Sequence, residues 1–172
     1  AFVANEEQSC FVESIDLYYD VPFTRMGITL VDTPGADSIN ARHTGVAFEY
    51  IKESDAILFV TYYNHAFAKA DREFLIQLGR VKDAFELDKM FFIVNAIDLA
   101  ESEEELHEVL DYVNDQLTQY GIRFPRLFGI SSLLAINGEV EQSKLPHFQK
   151  AFEQFLQYDL LKMVLQSAEK EL

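Results

Sequence analysis

Asp32 closes the apolar run Ile28-Thr29-Leu30-Val31 and is followed by Thr33-Pro34-Gly35. An apolar run that ends in an acid before a Pro-Gly turn reads as a buried strand delivering a carboxylate to the C-terminal edge of a sheet, where open α/β sheets bind ligands. There Asp32 can hold a magnesium ion, most readily through a water, because magnesium releases its hydration shell reluctantly and prefers carboxylates. Gly35 has no Cβ to obstruct a backbone N–H approaching a terminal phosphate. Alone, Asp-Thr-Pro-Gly equally describes an ordinary turn. It does not stand alone: about sixty residues on, Phe91-Phe92-Ile93-Val94 runs into Asn95-Ala96-Ile97-Asp98. About thirty beyond that, Leu127-Phe128-Gly129-Ile130 runs into Ser131-Ser132. Asp98 can accept two hydrogen bonds from N1 and N2 of guanine, a donor pair that adenine lacks. Asn95 can tie neighbouring loops together, and the backbone around Ser131 and Ser132 can meet the base's O6. Three apolar runs therefore end in polar signatures in the order a guanine-nucleotide site requires.

These side chains need elements to hold them. Loose alternation from Cys10 to Tyr19 reads as a half-buried strand. The short connector Val21 to Gly27 then makes a hairpin into a strand at 28–32, giving an antiparallel edge pair. A polar stretch from Asp37 to Thr44 leads into a helix ending near Glu53, with Val46, Ala47, Tyr50 and Ile51 on one face. Ala56 to Tyr62 is apolar throughout but for Thr61, as in a central parallel strand covered on both faces. After a loop at 64–68, Phe74, Leu78, Val81 and Phe85 recur at helical spacing between Lys69 and Phe85. Met90 to Asn95 is the next buried strand. Ser102-Glu103-Glu104-Glu105 forms a capping box, a solvated helix start with three acids near the positive end of the helix, and not a metal site. Leu106, Val109, Leu110, Val113 and Leu117 make that helix's buried stripe before Gly121 stops it. Arg126 to Ser131 is the last strand, 135–142 a loop, and Ser143 with Pro146 opens a helix bearing Phe148, Phe152 and Phe155. Beyond Tyr158 a second helical pattern, Leu161, Val164 or Leu165, Ala168 and Leu172, runs on without a stop signal, and its apolar face needs a partner. Strands alternating with helices give an α/β fold: a mostly parallel sheet with an antiparallel edge strand and helices on both faces.

At 172 residues, 49% hydrophobic with 15 Phe and 8 Tyr, the chain has ample core material for one domain. The net charge of −15 opposes binding nucleic acid or an anionic membrane through a general field, so a phosphate ligand must be held locally. The single cysteine, Cys10, cannot form an internal disulfide, which suits a reducing cytoplasm. No stretch of about eighteen apolar residues and no signal-peptide pattern is present, so these residues are expected neither to span a membrane nor to direct export. His43 and His65 fall in loops flanking the site but have no second ligand at zinc spacing; His107 and His147 read as surface residues on helices. No G-x-S-x-G elbow suggests a serine hydrolase.

Together the Asp-Thr-Pro-Gly, Asn-x-x-Asp and Ser-Ser elements resemble the second half of a Ras-like P-loop GTPase domain. The longer signature, Gly27 to Gly35 followed by Ser54-Asp55-Ala56-Ile57-Leu58-Phe59-Val60, resembles dynamin-like GTPases, especially bacterial ones. The likeness implies a partial Ras-like P-loop GTPase fold. Residues 1–158 would be the C-terminal part of the GTPase domain, and 159–172 the start of a neck or stalk helix. It implies GTP or GDP with Mg2+ as cofactors, bound through Asp32, Thr33, Pro34, Gly35, Asn95, Asp98, Ser131 and Ser132, with Asp32 the metal residue. It implies a parent protein that hydrolyses GTP, self-associates through the GTPase domain and remodels or fuses membranes through parts outside these residues. That parent would be cytoplasmic and peripherally membrane-associated, with no nucleic-acid partner.

Three departures bear on this. No G-x-x-x-x-G-K-[ST] occurs, so the cradle and lysine for the β- and γ-phosphates are absent, and these residues alone are not expected to hydrolyse GTP. Ala96 replaces the guanine motif's usual lysine, whose aliphatic stem packs on the base. Ala36 stands where Ras-like proteins carry a water-positioning glutamine, which is usual for dynamin-like proteins, and no catalytic residue is assigned. In the family the missing loop follows a strand lying between those that here end at Asp32 and near Tyr62. Edges at 28–32 and 56–62 are therefore expected to stand open, to be filled by strand sharing in a dimer or by residues 1–9, or to be rearranged. Two alternatives remain: a non-catalytic GTPase-like module serving as an interaction or assembly surface, and a ribosome-associated or septation GTPase.

Overall fold

Three apolar runs pair side by side and in parallel. In the computed structural model, which describes residues 15–33, 50–51, 53–81, 89–122 and 124–160, these are β1 (Ile57–Tyr62), β2 (Met90–Asn95) and β3 (Arg126–Ile130), in the order β1-β2-β3. The register runs from Ile57 opposite Met90 to Tyr62 opposite Asn95, and from Phe91 opposite Arg126 to Asn95 opposite Ile130. Parallel pairing brings the three C-terminal ends, and with them Asn95 and the loops after β2 and β3, to one edge.

By compactness the chain divides at Asp32 into units 1–32 and 33–172. In the first, the connector is no hairpin: Pro22–Arg25 is a helical turn, α1, with proline in its first turn. The Val21 N–H donates to Thr24 Oγ1 (3.1 Å), Thr24 Oγ1 donates to the Tyr19 carbonyl (2.6 Å), and Arg25 makes a two-pronged pair with Asp20 at 2.7 and 2.9 Å. Residues 15–20 and 28–33 on either side belong to no strand, so the antiparallel edge pair is not formed over the described residues. The physical reason is visible in the exposure of Leu17, Tyr18, Tyr19, Leu30 and Val31. A strand is held by a ladder and by burial of one face, and these side chains find neither.

In the second unit, residues 50, 51 and 53 are helical with Ile51 buried, and the rest of that expected helix lies outside the described residues. A 3-10 turn, Tyr63–His65, follows β1 and leads to α2 (Lys69–Val81). Asp71 fixes the start of α2, accepting from the Ala68 N–H (2.9 Å) and from Thr61 Oγ1 (3.1 Å). Next come α3 (Glu103–Gln119), α4 (Ser132–Ile136) and α5 (Leu145–Gln154). Ser102 caps α3 as its sequence predicts, accepting the Glu105 N–H at 3.1 Å, while the Glu105 carboxylate reaches back to the Glu101 N–H at 2.7 Å. Gly121, at φ +94°, ends it. The stretch expected as loop from 135 onward begins inside α4, and α5 opens at Leu145, two residues after Ser143.

Helices cover both faces of the sheet. Phe92 and Val94 of β2 join Leu75 and Leu78 of α2 and Leu106, Val113 and Leu117 of α3 in one buried cluster. On the other face the fully buried Phe91 meets the rings of Phe148, Phe152 and Phe155 at 6.1, 5.1 and 5.3 Å, each close to perpendicular. After Gln154 the helix continues as a π turn, Phe155–Asp159, and is again helical at Leu160. Arg126 pins that turn: its guanidinium lies 5.2 Å from the Phe91 and Phe155 ring centres and 2.9 Å from the Asp159 carboxylate. The helical pattern expected at 161–172 lies outside the described residues.

A further expectation is corrected. β1 is not covered on both faces: Leu58, Val60 and Tyr62 are 36, 56 and 49% exposed, whereas Phe91 and Ile93, the register partners of Leu58 and Val60, are buried. Among the described residues β1 pairs only with β2, so it is the edge of this sheet and β2 its centre. Also among the described residues, no helix is long and apolar enough to cross a membrane.

Candidate functional site

The loop after β2 takes an abrupt course. Ala96 is left-handed at φ 69°, and a 3-10 turn, Ile97–Leu99, turns Asp98 to the exposed sheet edge. The loop after β3 meets it there. Ser131 is fully buried; its hydroxyl donates to Asp98 Oδ1 and accepts the Leu134 N–H at 3.1 Å, capping α4. The Ser132 N–H donates to Asn95 Oδ1 at 3.0 Å. Asn95, Asp98, Ser131 and Ser132 are thus joined pairwise across the ends of two neighbouring strands. A carboxylate held this way is an acceptor-only group that still offers lone pairs to a ligand's N–H donors.

The other half of the expected site is described only in part. Asp32 is an exposed residue of irregular backbone at the end of the first unit, not the last residue of a buried strand, and Thr33, half-buried, opens the second. Pro34, Gly35 and His43 lie outside the described residues. No group of three or more His, Cys, Asp or Glu among the described residues is placed to hold a metal ion. His65, His107 and His147 are exposed; His107 Nδ1 is 2.6 Å from the Glu103 carbonyl and His147 lies against Phe128.

Sequence reasoning passed over the segment behind Ser131. Ser143, also fully buried, accepts the Ser131 N–H on its carbonyl at 2.9 Å and the Leu145 N–H on its hydroxyl at 3.2 Å. The next residue, Lys144, is left-handed at φ 55°, and its ammonium sits 2.9 and 3.2 Å from the Glu103 carboxylate oxygens. That hydrogen bond holds the Glu103 carboxyl below its ordinary pKa, and because both side chains are exposed the pair holds only weakly. A cavity of about 250 Å³ opens here, lined by Ile97, Asp98, Glu103, Leu134, Gln142 and Lys144 among others. The one sequence signal was the serine before α5, which reads as a helix cap and not as part of a site.

Gly129 sets how closely these parts approach. A Cβ there would lie 3.2 Å from Ile97 Cγ2 and 3.4 Å from Leu110, so the absence of a side chain lets the Asp98 loop and α3 close onto β3. Gly129→Val is expected to destabilise the protein by about 1–3 kcal/mol through overpacking and to displace Ile97, the residue before Asp98. Gly129→Ala should cost less; urea titration of both variants checks the order.

The family model described as "Dynamin family" matches residues 3–97. The chain is 45% identical over 163 residues to "Dynamin-like protein A" of Bacillus subtilis (strain 168), covering 94% of this chain and 14% of that protein. It is 26% identical over 114 residues to "Dynamin-like protein 1" of Campylobacter jejuni, covering 66% of this chain and 15% of the relative. An uncharacterized Caldicellulosiruptor protein encoded in the xynA 3′ region is 29% identical over 177 residues, covering 97% of this chain and 42% of its own length. This chain therefore spans less than half of each of these relatives. Among solved structures, Era in complex with MgGDPNP and a segment of 16S ribosomal RNA aligns with a TM-score of 0.49 at 16% identity, over 71% of this chain and 35% of that one.

Proposed function

Because this chain belongs to the dynamin family, we propose that it is part of a guanine-nucleotide-binding GTPase. Residues 1–158 form the C-terminal part of the GTPase domain and 159–172 begin the neck or stalk. The observation that carries this reading is the joining of Asn95 and Asp98, after β2, to Ser132 and Ser131, after β3, at the C-terminal edge of a parallel sheet. Ligands of open α/β sheets bind at that edge, and an acceptor carboxylate there selects a base with adjacent N–H donors.

In this reading Asp98 takes N1 and N2 of guanine, Asn95 fixes the loop that carries it, and the segment around Ser131 and Ser132 lies beside O6, while the N–H groups of these two serines stay engaged with the Ser143 carbonyl and Asn95 Oδ1. The Asp32-Thr33-Pro34-Gly35 motif is assigned by its sequence to the phosphates. A lone exposed carboxylate such as Asp32 suits a magnesium ion that keeps most of its waters, and that ion would neutralise phosphate charge. The full-length protein hydrolyses GTP, self-associates through this domain and remodels membranes from the cytoplasmic side. Residues 1–172 alone, lacking a G-x-x-x-x-G-K-[ST] loop, do not turn GTP over.

The test is hydrolysis of GTP and ATP by the full-length protein encoded by the gene that carries this sequence, with and without phospholipid vesicles, beside residues 1–172 alone. Turnover of GTP but not ATP by the full-length protein is expected. If it neither hydrolyses GTP nor binds GDP, the second reading takes over: a GTPase-like assembly module, which the single methyl of Ala96 in place of a base-packing lysine favours.

A further inference from the structure

The guanine motif's usual long side chain is missing at position 96, where Ala96 offers one methyl on a left-handed backbone. A cation stands nearby from a different part of the chain. Lys144 lines the same cavity as Asp98 and, among the described residues, is the one basic residue lining it. Its backbone is built onto the site: Asp98 accepts from the Ser131 hydroxyl, the Ser131 N–H donates to the Ser143 carbonyl, and Lys144 follows Ser143 directly. Both linking serines of the path from the carboxylate to the lysine are fully buried, and Lys144 at its end is not. The end is loose. The Lys144 ammonium is held by Glu103, in an exposed pair that yields readily to a competing acceptor.

We propose that Lys144 is a specificity-determining residue of the nucleotide site, and that Glu103 competes with the ligand for it. The proposal rests on the guanine-nucleotide reading above. A base that gives its N–H donors to Asp98 presents a carbonyl acceptor on the adjoining edge, and the ammonium leaves Glu103 to donate to it. Guanine and hypoxanthine carry that carbonyl; adenine carries an amine there and would set donor against donor. Asp98 reads the donor edge of the base and Lys144 the acceptor edge, which restores from position 144 part of what position 96 lacks.

The experiment is calorimetric titration of the full-length protein with GDP, IDP and ADP, in the wild type, Lys144→Met, Glu103→Gln and Asp98→Asn. Lys144→Met keeps the aliphatic stem and adds no backbone strain, and a thermal melt verifies that it folds. It should weaken GDP and IDP alike, about tenfold, because both bases carry the carbonyl. Glu103→Gln breaks the same ion pair yet should tighten GDP several-fold, since the lysine loses its competitor. Opposite signs separate ligand contact from a structural salt bridge, whose loss moves both variants the same way. Unchanged GDP affinity in Lys144→Met, or equal weakening in both variants, overturns the proposal while the guanine site stands. A wild type that binds no GDP, or an Asp98→Asn variant that binds it unchanged, overturns the guanine reading and this proposal with it.

Discussion

Asp98→Asn is expected to weaken GDP binding by about 10² to 10⁴-fold and to raise the affinity for the corresponding xanthine nucleotide. The carboxylate has acceptor capacity only, and one oxygen already takes the Ser131 hydroxyl. In the asparagine variant the amide oxygen keeps that hydroxyl, which turns the NH₂ group toward the base. Two charge-assisted hydrogen bonds to guanine, each about 1.5–3 kcal/mol, are replaced by donor facing donor. Their sum, about 3–6 kcal/mol, gives the fold-change at 1.4 kcal/mol per factor of ten. Xanthine has a carbonyl where guanine has its amine, so the same NH₂ finds an acceptor. Titration of the full-length protein with both nucleotides decides it. If both affinities fall equally, Asp98 holds its loop together and does not read the base.

The juxtaposition of Asn95 and Asp98 with Ser131 and Ser132 was legible because these residues ride on strand ends. Five buried residues in a row, Met90 to Val94, admit one reading in a parallel sheet, and the residues next in the chain must emerge at the edge. The same logic misplaced 28–32. Apolar content says what a strand could bury, not which neighbour supplies its ladder, and no described strand pairs with it. β1 shows the same gap, since an apolar run cannot reveal that Leu58, Val60 and Tyr62 lie on an uncovered face. The apparent interruption near Tyr158 has a physical source: the extra residue of the π turn shifts the apolar stripe by one position there. Lys144 was out of reach for another reason. Its place depends on Ser143 binding Ser131 and on a left-handed backbone at a non-glycine residue, and neither has a signature in residue order.

Phe91→Ala should be among the most damaging substitutions to stability, costing about 3–5 kcal/mol in urea unfolding of the full-length protein. Its ring is fully buried and contacts three aromatic rings edge-on, Phe148 and Phe152 of α5 and Phe155 of the π turn, besides lying under the Arg126 guanidinium. Truncation removes the shared partner of all four at once and opens a cavity at the middle of the sheet, where β2 is held on both sides and cannot collapse into it. Arg126 then keeps only Phe155 and Asp159 to hold the π turn. Phe124→Ala is the matched control: Phe124 is 92% exposed, and its loss should fall within about 0.5 kcal/mol of the wild type. The damage should also reach the site. The first residue of α5, Leu145, donates to Ser143, which carries Ser131, so loosening α5 should weaken GDP binding in Phe91→Ala and leave it intact in Phe124→Ala. A Phe91→Ala variant within about 1 kcal/mol of the wild type would mean that α5 does not pack on this face of β2, and the coupling from core to site would fall with it.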